Sequence, residues 1–164
     1  MVVAVISDTH MPRGARRLPE AFVERIRGAD LLLHAGDFMT VAVLRELEAI
    51  GPPVLGVYGN VDSAELCDLL PAERVVDADG ARIGMLHDAG PRAGRLTRMR
   101  RHFGDRAADA VIFGHSHLPL HERAEHGFQI FNPGSPTDRR RAPAHTMGVA
   151  NIEGGEIAFE LVTA

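Results

Sequence analysis

The first sixty residues alternate short apolar runs with amphipathic helical segments, and this alternation constrains the fold more than any other feature of the chain. Val2-Val3-Ala4-Val5-Ile6 is uncharged, largely β-branched and ends at Ser7-Asp8, which predicts a strand buried on both faces. Leu18 to Arg27 carries Phe22, Val23 and Ile26 at helical spacing and stops at Gly28. Ala29 to Ala35, with Leu31-Leu32-Leu33, is a second buried strand. Thr40 stands where it can cap a helix running to Ile50, whose Val43, Leu44, Leu47 and Ile50 share one face before Gly51-Pro52 ends it. Val54 to Tyr58 is a third strand. Strands separated by helices pair in parallel through βαβ crossovers.

The rhythm then changes. Arg74 to Ala78 and Ala81 to Leu86 flank Asp79-Gly80, a two-residue hairpin signal. Arg92 to Phe103 is an arginine-rich helix candidate, and Ala110 to Phe113 is another buried strand. Beyond it the pattern predicts strands only, at Leu120 to Ala124, Phe128 to Phe131, Thr146 to Ile152 and Glu156 to Val162, the last two joined at Glu153-Gly154-Gly155. No repeat or linker interrupts the 164 residues, so one domain spanning residues 1–164 with partly parallel, partly antiparallel sheets is expected. A chain of that size buries about two-thirds of its unfolded surface and needs no covalent staple. Phe103, Phe113, Phe128 and Phe131 read as core.

Charge and cysteine content narrow the function classes. The net charge of −4 argues against a stable nucleic-acid complex, which calls for a basic footprint. Cys67 is the one cysteine, so an intramolecular disulfide and a cysteine-rich metal cage are excluded. With no signal peptide and no apolar run near the roughly 20 residues a bilayer requires, a cytoplasmic location and no membrane role are expected.

Nine histidines are present, and their positions carry the chemistry. Successive strands run into Asp8-Thr9-His10, Gly36-Asp37, Gly59-Asn60, His87-Asp88 and Gly114-His115-Ser116-His117. Each segment alone has an ordinary reading: Asp37 and Asn60 follow glycines as turn residues do, and His87 could be a satisfied strand-end histidine. In open α/β sheets, however, ligands bind outside the carboxyl ends of the strands. Five such ends supply ligand-type side chains in common. Two carboxylates, one amide and four imidazoles form a borderline N/O set that suits manganese, iron or zinc better than calcium or magnesium. Seven donors exceed what one open catalytic ion takes and match two ions sharing a carboxylate. Such a pair, about 3.5–4 Å apart, clamps the attacking and leaving oxygens of a phosphoryl centre and turns a bridging water into a hydroxide nucleophile.

The order Asp8-x-His10, Gly36-Asp37, Gly59-Asn60, His87, Gly114-His115-x-His117 is similar to that of the calcineurin-like metallophosphoesterase superfamily. The short length, His34-Ala35-Gly36-Asp37 and Asn132-Pro133-Gly134-Ser135 resemble its small prokaryotic phosphodiesterase branch. The resemblance runs from Asp8 to Ser135. It implies an α/β fold, a four-layer αββα sandwich with two mixed β-sheets packed face to face and helices outside. By motif match Asp8, His10 and His117 hold one divalent ion, Asn60, His87 and His115 the other, and Asp37 bridges. Manganese is the expected metal, with iron, zinc or nickel as alternatives.

Two positions depart from the family pattern. The histidine that protonates the leaving oxygen in well-equipped members is Val61 here, although Asp62 follows as usual. Asp88 replaces a glycine after His87 and either supports a ligand histidine or faces solvent. His34 either reaches substrate or is a buried strand-end histidine; His121 and His126 are expected at the surface. Arg139-Arg140-Arg141 either attracts phosphate or forms a solvated loop. The chain therefore reads as a dinuclear metal-dependent phosphodiesterase, hydroxide attacking phosphorus in line, best on small phosphodiester or nucleotide-like substrates with good leaving groups. A catalytically weak scaffold of the same fold and a phosphomonoesterase are the alternatives. An oligomer is compatible with either.

Overall fold

The computed structural model describes every residue, Met1 to Ala164. Strands β1 (Val2–Ile6), β2 (Leu31–His34) and β3 (Val54–Gly56) pair in parallel, with Ala4 opposite Leu32 and Leu32 opposite Val54. The long C-terminal hairpin of β9 (Thr146–Glu153) and β10 (Glu156–Thr163) joins them, β9 lying antiparallel to β1, to give a sheet of order β10-β9-β1-β2-β3. The second sheet is built on the hairpin of β4 (Glu73–Ala78) and β5 (Ala81–Leu86), which turns at Asp79-Gly80. Its order is β4-β5-β6-β8-β7, with β6 (Ala110–Ile112) parallel to both neighbours and β7 (Leu120–Arg123) antiparallel to β8 (Gln129–Asn132).

Strand alternation sorts the apolar residues into three cores and thereby fixes the layers. Val3, Val5, Leu31 and Leu33 of the first sheet meet Ile83, Met85, Ile112 and Phe131 of the second in a dry seam between the sheets. The opposite faces of the same strands, Ala4, Ile6 and Leu32, pack on α1 (Glu20–Arg27), α2 (Val41–Glu48) and α3 (Ala64–Leu69) through Phe22, Ile26, Leu44, Leu47 and Leu66. On the far side of the second sheet, α4 (Arg95–Gly104) inserts Met99 and Phe103 against Val111 and Ile130. Gly84 makes this close packing possible, since a Cβ there would stand 2.6 Å from the Phe103 ring. The result is the αββα sandwich.

Where the elements differ from the pattern-based expectation, the causes are local. The six-residue helix α3 is too short to show a periodicity, and Ser63 caps it by accepting from the Leu66 amide at 3.4 Å. α4 starts three residues later than Arg92 because Gly94, at φ +67°, is its N-cap. Thr40 does occupy the N-cap of α2, yet its side chain makes no capping bond there.

Candidate metal centre

Asp8-Thr9-His10 follows β1, Asp37 stands three residues beyond β2, and Asn60 four beyond β3, all at carboxyl ends of the first sheet. His87 follows β5 directly, and His115 and His117 lie in the loop after β6, so the second sheet delivers its histidines to the same edge. The five segments meet. Asp37 Oδ2 is 3.3 Å from Nε2 of His10 and 3.3 Å from Nε2 of His87. His117 Nε2 is 3.4 Å and His10 Nε2 4.0 Å from Asp8 Oδ1. Asn60 Oδ1 is 3.0 Å from His87 Nε2 and 2.9 Å from His115 Nδ1. Two donors at right angles on an ion with bonds of about 2.0–2.1 Å stand about 3 Å apart, so these separations match shared coordination.

The donors fall into two groups, Asp8 with His10 and His117, and Asp8 with Asp37 and His87. Asp8 thus stands in both. Its Oδ2 is already committed to the Ser7 hydroxyl at 2.7 Å, and both its oxygens accept from the His115 amide at 3.1 and 3.0 Å. Asp37 alone presents one oxygen equidistant from histidines of either group.

The backbone is bent to make this possible. Asp8, His10, Asp37, His115 and His117 all have φ between +46° and +69°, a region L-residues avoid. The motif glycines make room for them: a Cβ on Gly59 would stand 2.1 Å from Asp37 Oδ1, one on Gly114 2.6 Å from Asp8 Oδ2, and one on Gly36 2.6 Å from His87 Nδ1.

Protonation and burial test whether a cation fits. His117 donates Nδ1–H to the Asp138 carbonyl and His87 donates Nδ1–H to the Ala35 carbonyl, which aims Nε2 of each ring into the cluster. Burial pushes the His117 imidazole below its ordinary pKa against the pull of Asp8, so the ring is neutral. Its Nε2 and that of His10 are buried and lack any hydrogen-bond partner. Lone pairs facing buried carboxylates call for a positive charge between them. Burial also raises the Asp8 carboxyl, outweighing His87 and His117. At Asp37 burial is overcome by the facing imidazoles of His10 and His87, and the carboxyl lies well below the usual range. His87 responds in kind: burial lowers it, while Asp37 and Asp8 raise it further, so that a proton takes the place a cation would. The N/O donor set, buried except at Asn60 and His115, fits divalent transition metals.

The family model described as calcineurin-like phosphoesterase superfamily domain matches residues 1–155. The chain belongs to this superfamily. A probable metallophosphoesterase of Methanothermobacter thermautotrophicus is 36% identical over 164 residues, covering 99% of this chain and 92% of that protein. A phosphodiesterase of Methanocaldococcus jannaschii is 25% identical over 148 residues, covering 82% and 83% of the two chains. Among solved structures, wild-type Vps29 of Entamoeba histolytica, crystallised with Zn²⁺, superposes with a TM-score of 0.79 at 21% identity, over 99% of each chain, a likeness of fold. Membership in a metallophosphoesterase family implies divalent metal ions acting in phosphoric ester hydrolysis.

Against this superfamily frame, Asp62 is a positioning residue that its place in the motif signals without showing how. Its carboxylate accepts from the amides of Asp37 at 3.1 Å, Met39 at 2.6 Å and Gly59 at 2.7 Å, tying the loops after β2 and β3 together. Ser135 does the same on the other side, donating to the Asp8 carbonyl at 2.8 Å. His34 is the strand-end histidine: fully buried, stacked on Phe38 at 3.5 Å, 3.1 Å from Thr9 Oγ1, its Nδ1 accepting from Gly36 N at 3.2 Å. It has no path to a substrate. Val61 is partly exposed beside Asn60, and its amide donates to Asp37 Oδ1 at 3.1 Å. Asp88 is exposed, closes a turn at Gly90 through a 2.7 Å bond, and holds Oδ2 4.0 Å from His115 Nε2. Arg139 donates to the Ala142 carbonyl, and Arg140 lies 3.8 Å from Asp138. His121 and His126 are exposed, and the four phenylalanines are buried. No helix is long and apolar enough to cross a membrane.

Proposed function

We propose that this superfamily member is a dinuclear metal-dependent phosphodiesterase, with Asp8, His10 and His117 holding one divalent ion, Asn60, His87 and His115 the other, and Asp37 both. The observation that carries this reading is the single carboxylate oxygen of Asp37 equidistant from two histidines of different groups. The ions, when bound, supply an activated water and neutralise charge developing on the phosphoryl oxygens. The chain's own part is to turn the Nε2 atoms of His87 and His117 toward the ions through the Ala35 and Asp138 carbonyls, and to hold the loops in register through Asp62. Manganese is the expected metal.

Val61 gives the specificity argument. An apolar side chain in that place cannot hand a proton to a departing oxygen, and general acid catalysis is typically worth about 10²–10⁴-fold. Substrates whose leaving groups depart as stable anions, such as aryl diesters, should therefore be preferred over alkyl diesters. The test is elemental analysis of manganese-loaded protein together with hydrolysis of bis(p-nitrophenyl) phosphate and of an alkyl diester. Two ions per chain with a strong aryl preference support the reading. Sub-stoichiometric metal with no hydrolysis favours a scaffold, and faster cleavage of p-nitrophenyl phosphate than of its diester favours a phosphomonoesterase.

A further inference from the structure

Between the loop preceding α4, the His117 loop and the segment around Arg141 lies a groove of about 430 Å³, within the range of small-molecule sites. Its lining includes Arg92, Arg95 and Arg141 over a floor of Leu118, Pro119 and Pro143. On the other flank of Leu118 a smaller hollow of about 240 Å³ adds Arg140. No carboxylate lines either space. Six of the 18 arginines pair with a carboxylate, Arg16 and Arg140 with Asp138, Arg27 with Glu24, Arg45 with Glu48, Arg82 with Asp77 and Arg106 with Glu73. Arg92 and Arg141 are exposed and have no such partner. Arg95 is fixed between them by two bonds to the Gly90 carbonyl, at 3.1 and 2.6 Å, and by the Phe113 ring beneath it at 4.9 Å. Burial and the neighbouring Arg98 lower its pKa against the opposing pull of Glu122 and Asp88. Leu118 is 44% exposed, an apolar side chain held in water at the groove's mouth.

The groove adjoins the loop that carries two of the donors, since Ser116, which lines it, stands between His115 and His117 in the chain. Resting on the phosphodiesterase reading, we infer that this arginine groove binds a second anionic group of the substrate, so that the preferred diester carries a further phosphate beyond the one that is cleaved. Guanidinium groups pair with phosphate oxygens in a fork, and the apolar floor accepts the sugar or base that links the two phosphates.

The test uses the full chain and two independent readouts. Manganese-loaded protein is assayed on thymidine 3′-(p-nitrophenyl phosphate) carrying a 5′-phosphate and on the same aryl diester without it. The terminal phosphate should raise kcat/KM by about tenfold or more, mostly through KM, as expected for one or two charge-assisted contacts, and the Arg92→Ala/Arg141→Ala variant should lose that ratio while Arg92→Lys/Arg141→Lys retains part of it. In parallel, chelator-stripped, dialysed protein is titrated calorimetrically with inorganic tripolyphosphate, whose affinity should fall about tenfold in the alanine variant and weaken with salt. A wild-type ratio near unity, or tripolyphosphate binding unaltered by the alanine pair, overturns the inference. Should neither aryl diester be hydrolysed while tripolyphosphate binding depends on Arg92 and Arg141, the groove stands as an anion site and the phosphodiesterase reading falls instead.

Discussion

Replacing Asp37 by asparagine interrogates the metal centre at its middle. The substitution keeps the shape and removes one charge and one acceptor. Oδ2 faces the two histidines at 3.3 Å, while Oδ1 accepts from the Val61 amide at 3.1 Å. An asparagine can serve only one side. With its carbonyl toward the histidines, its NH₂ confronts the Val61 N–H; flipped, no oxygen remains between the imidazoles. In both orientations the charge shared by the two groups is gone. Loss of an outer supporting group costs about 10–100-fold in metal affinity, so loss of this one should cost each ion at least about 100-fold. At manganese about 100 times the wild-type Kd, each bound ion stabilises by about 2.7 kcal/mol, hence about 5.4 kcal/mol for two, against about 0.8 kcal/mol in the variant. In a chain of this length 1 kcal/mol moves Tm by about 2–4 °C. The manganese-induced rise in Tm should therefore be on the order of 10–20 °C in the wild type and about 2–3 °C in Asp37→Asn. His10→Gln, which strips a donor from one group, should keep roughly half of the rise. Scanning calorimetry of chelator-stripped protein with and without manganese reads all three. An Asp37→Asn protein that loses no more than His10→Gln refutes the shared carboxylate.

Three further outcomes are expected. Gly59→Ala drives a Cβ to 2.1 Å from Asp37 Oδ1, so the metal-free protein should lose about 1–3 kcal/mol and bind manganese poorly, whereas Gly104→Ala, facing open space, should cost nothing; equal denaturant midpoints contradict this. Val61→His should raise the rate on alkyl diesters by up to about 10²–10⁴-fold and that on p-nitrophenyl diesters far less, and a uniform change would show that proton supply is not the limit. Burial holds His34 at a pKa of about 3 against an ordinary 6.5. The fold requires its neutral form, so that stability is full above pH 6.5 and drains as pH falls toward 3. Denaturant titrations of metal-free protein should show a shallower loss across that window in His34→Gln, and parallel curves would refute it.

The meeting of Asp8, His10, Asp37, Asn60, His87, His115 and His117 was legible because each strand of a βα-type fold ends on the same edge, so a ligand-type residue after a strand carries positional information that the same residue in a loop lacks. The layers were legible for a related reason: Val3 and Val5 turn to the seam while Ala4 and Ile6 turn to the helices, as a strand buried on both faces must. The pairing of β9 with β1 was not, because it joins Val5 to Gly148 and no local pattern encodes so distant a partner. Nor was the role of Asp62, whose three amide contacts exist only once two loops have met. His34 was ambiguous for the opposite reason. Its proximity to Asp37 in sequence suggested reach, and burial under Phe38 turned its ring inward.

One feature of the centre bears on how the protein matures. Asp8, His10, Asp37 and Asn60 follow strands of the first sheet, which is completed only by the C-terminal hairpin of β9 and β10, whereas His87, His115 and His117 issue from the second. Neither half owns a finished cage. On the two-ion reading, the ribosome releases four of the donors long before the imidazoles that complete the set, and ion capture waits until β9 and β10 have also emerged and the two sheets have docked. A cell short of the right metal would thus expose its deficit in this protein late, as a docked but loosely closed molecule, rather than as a chain that fails from the outset.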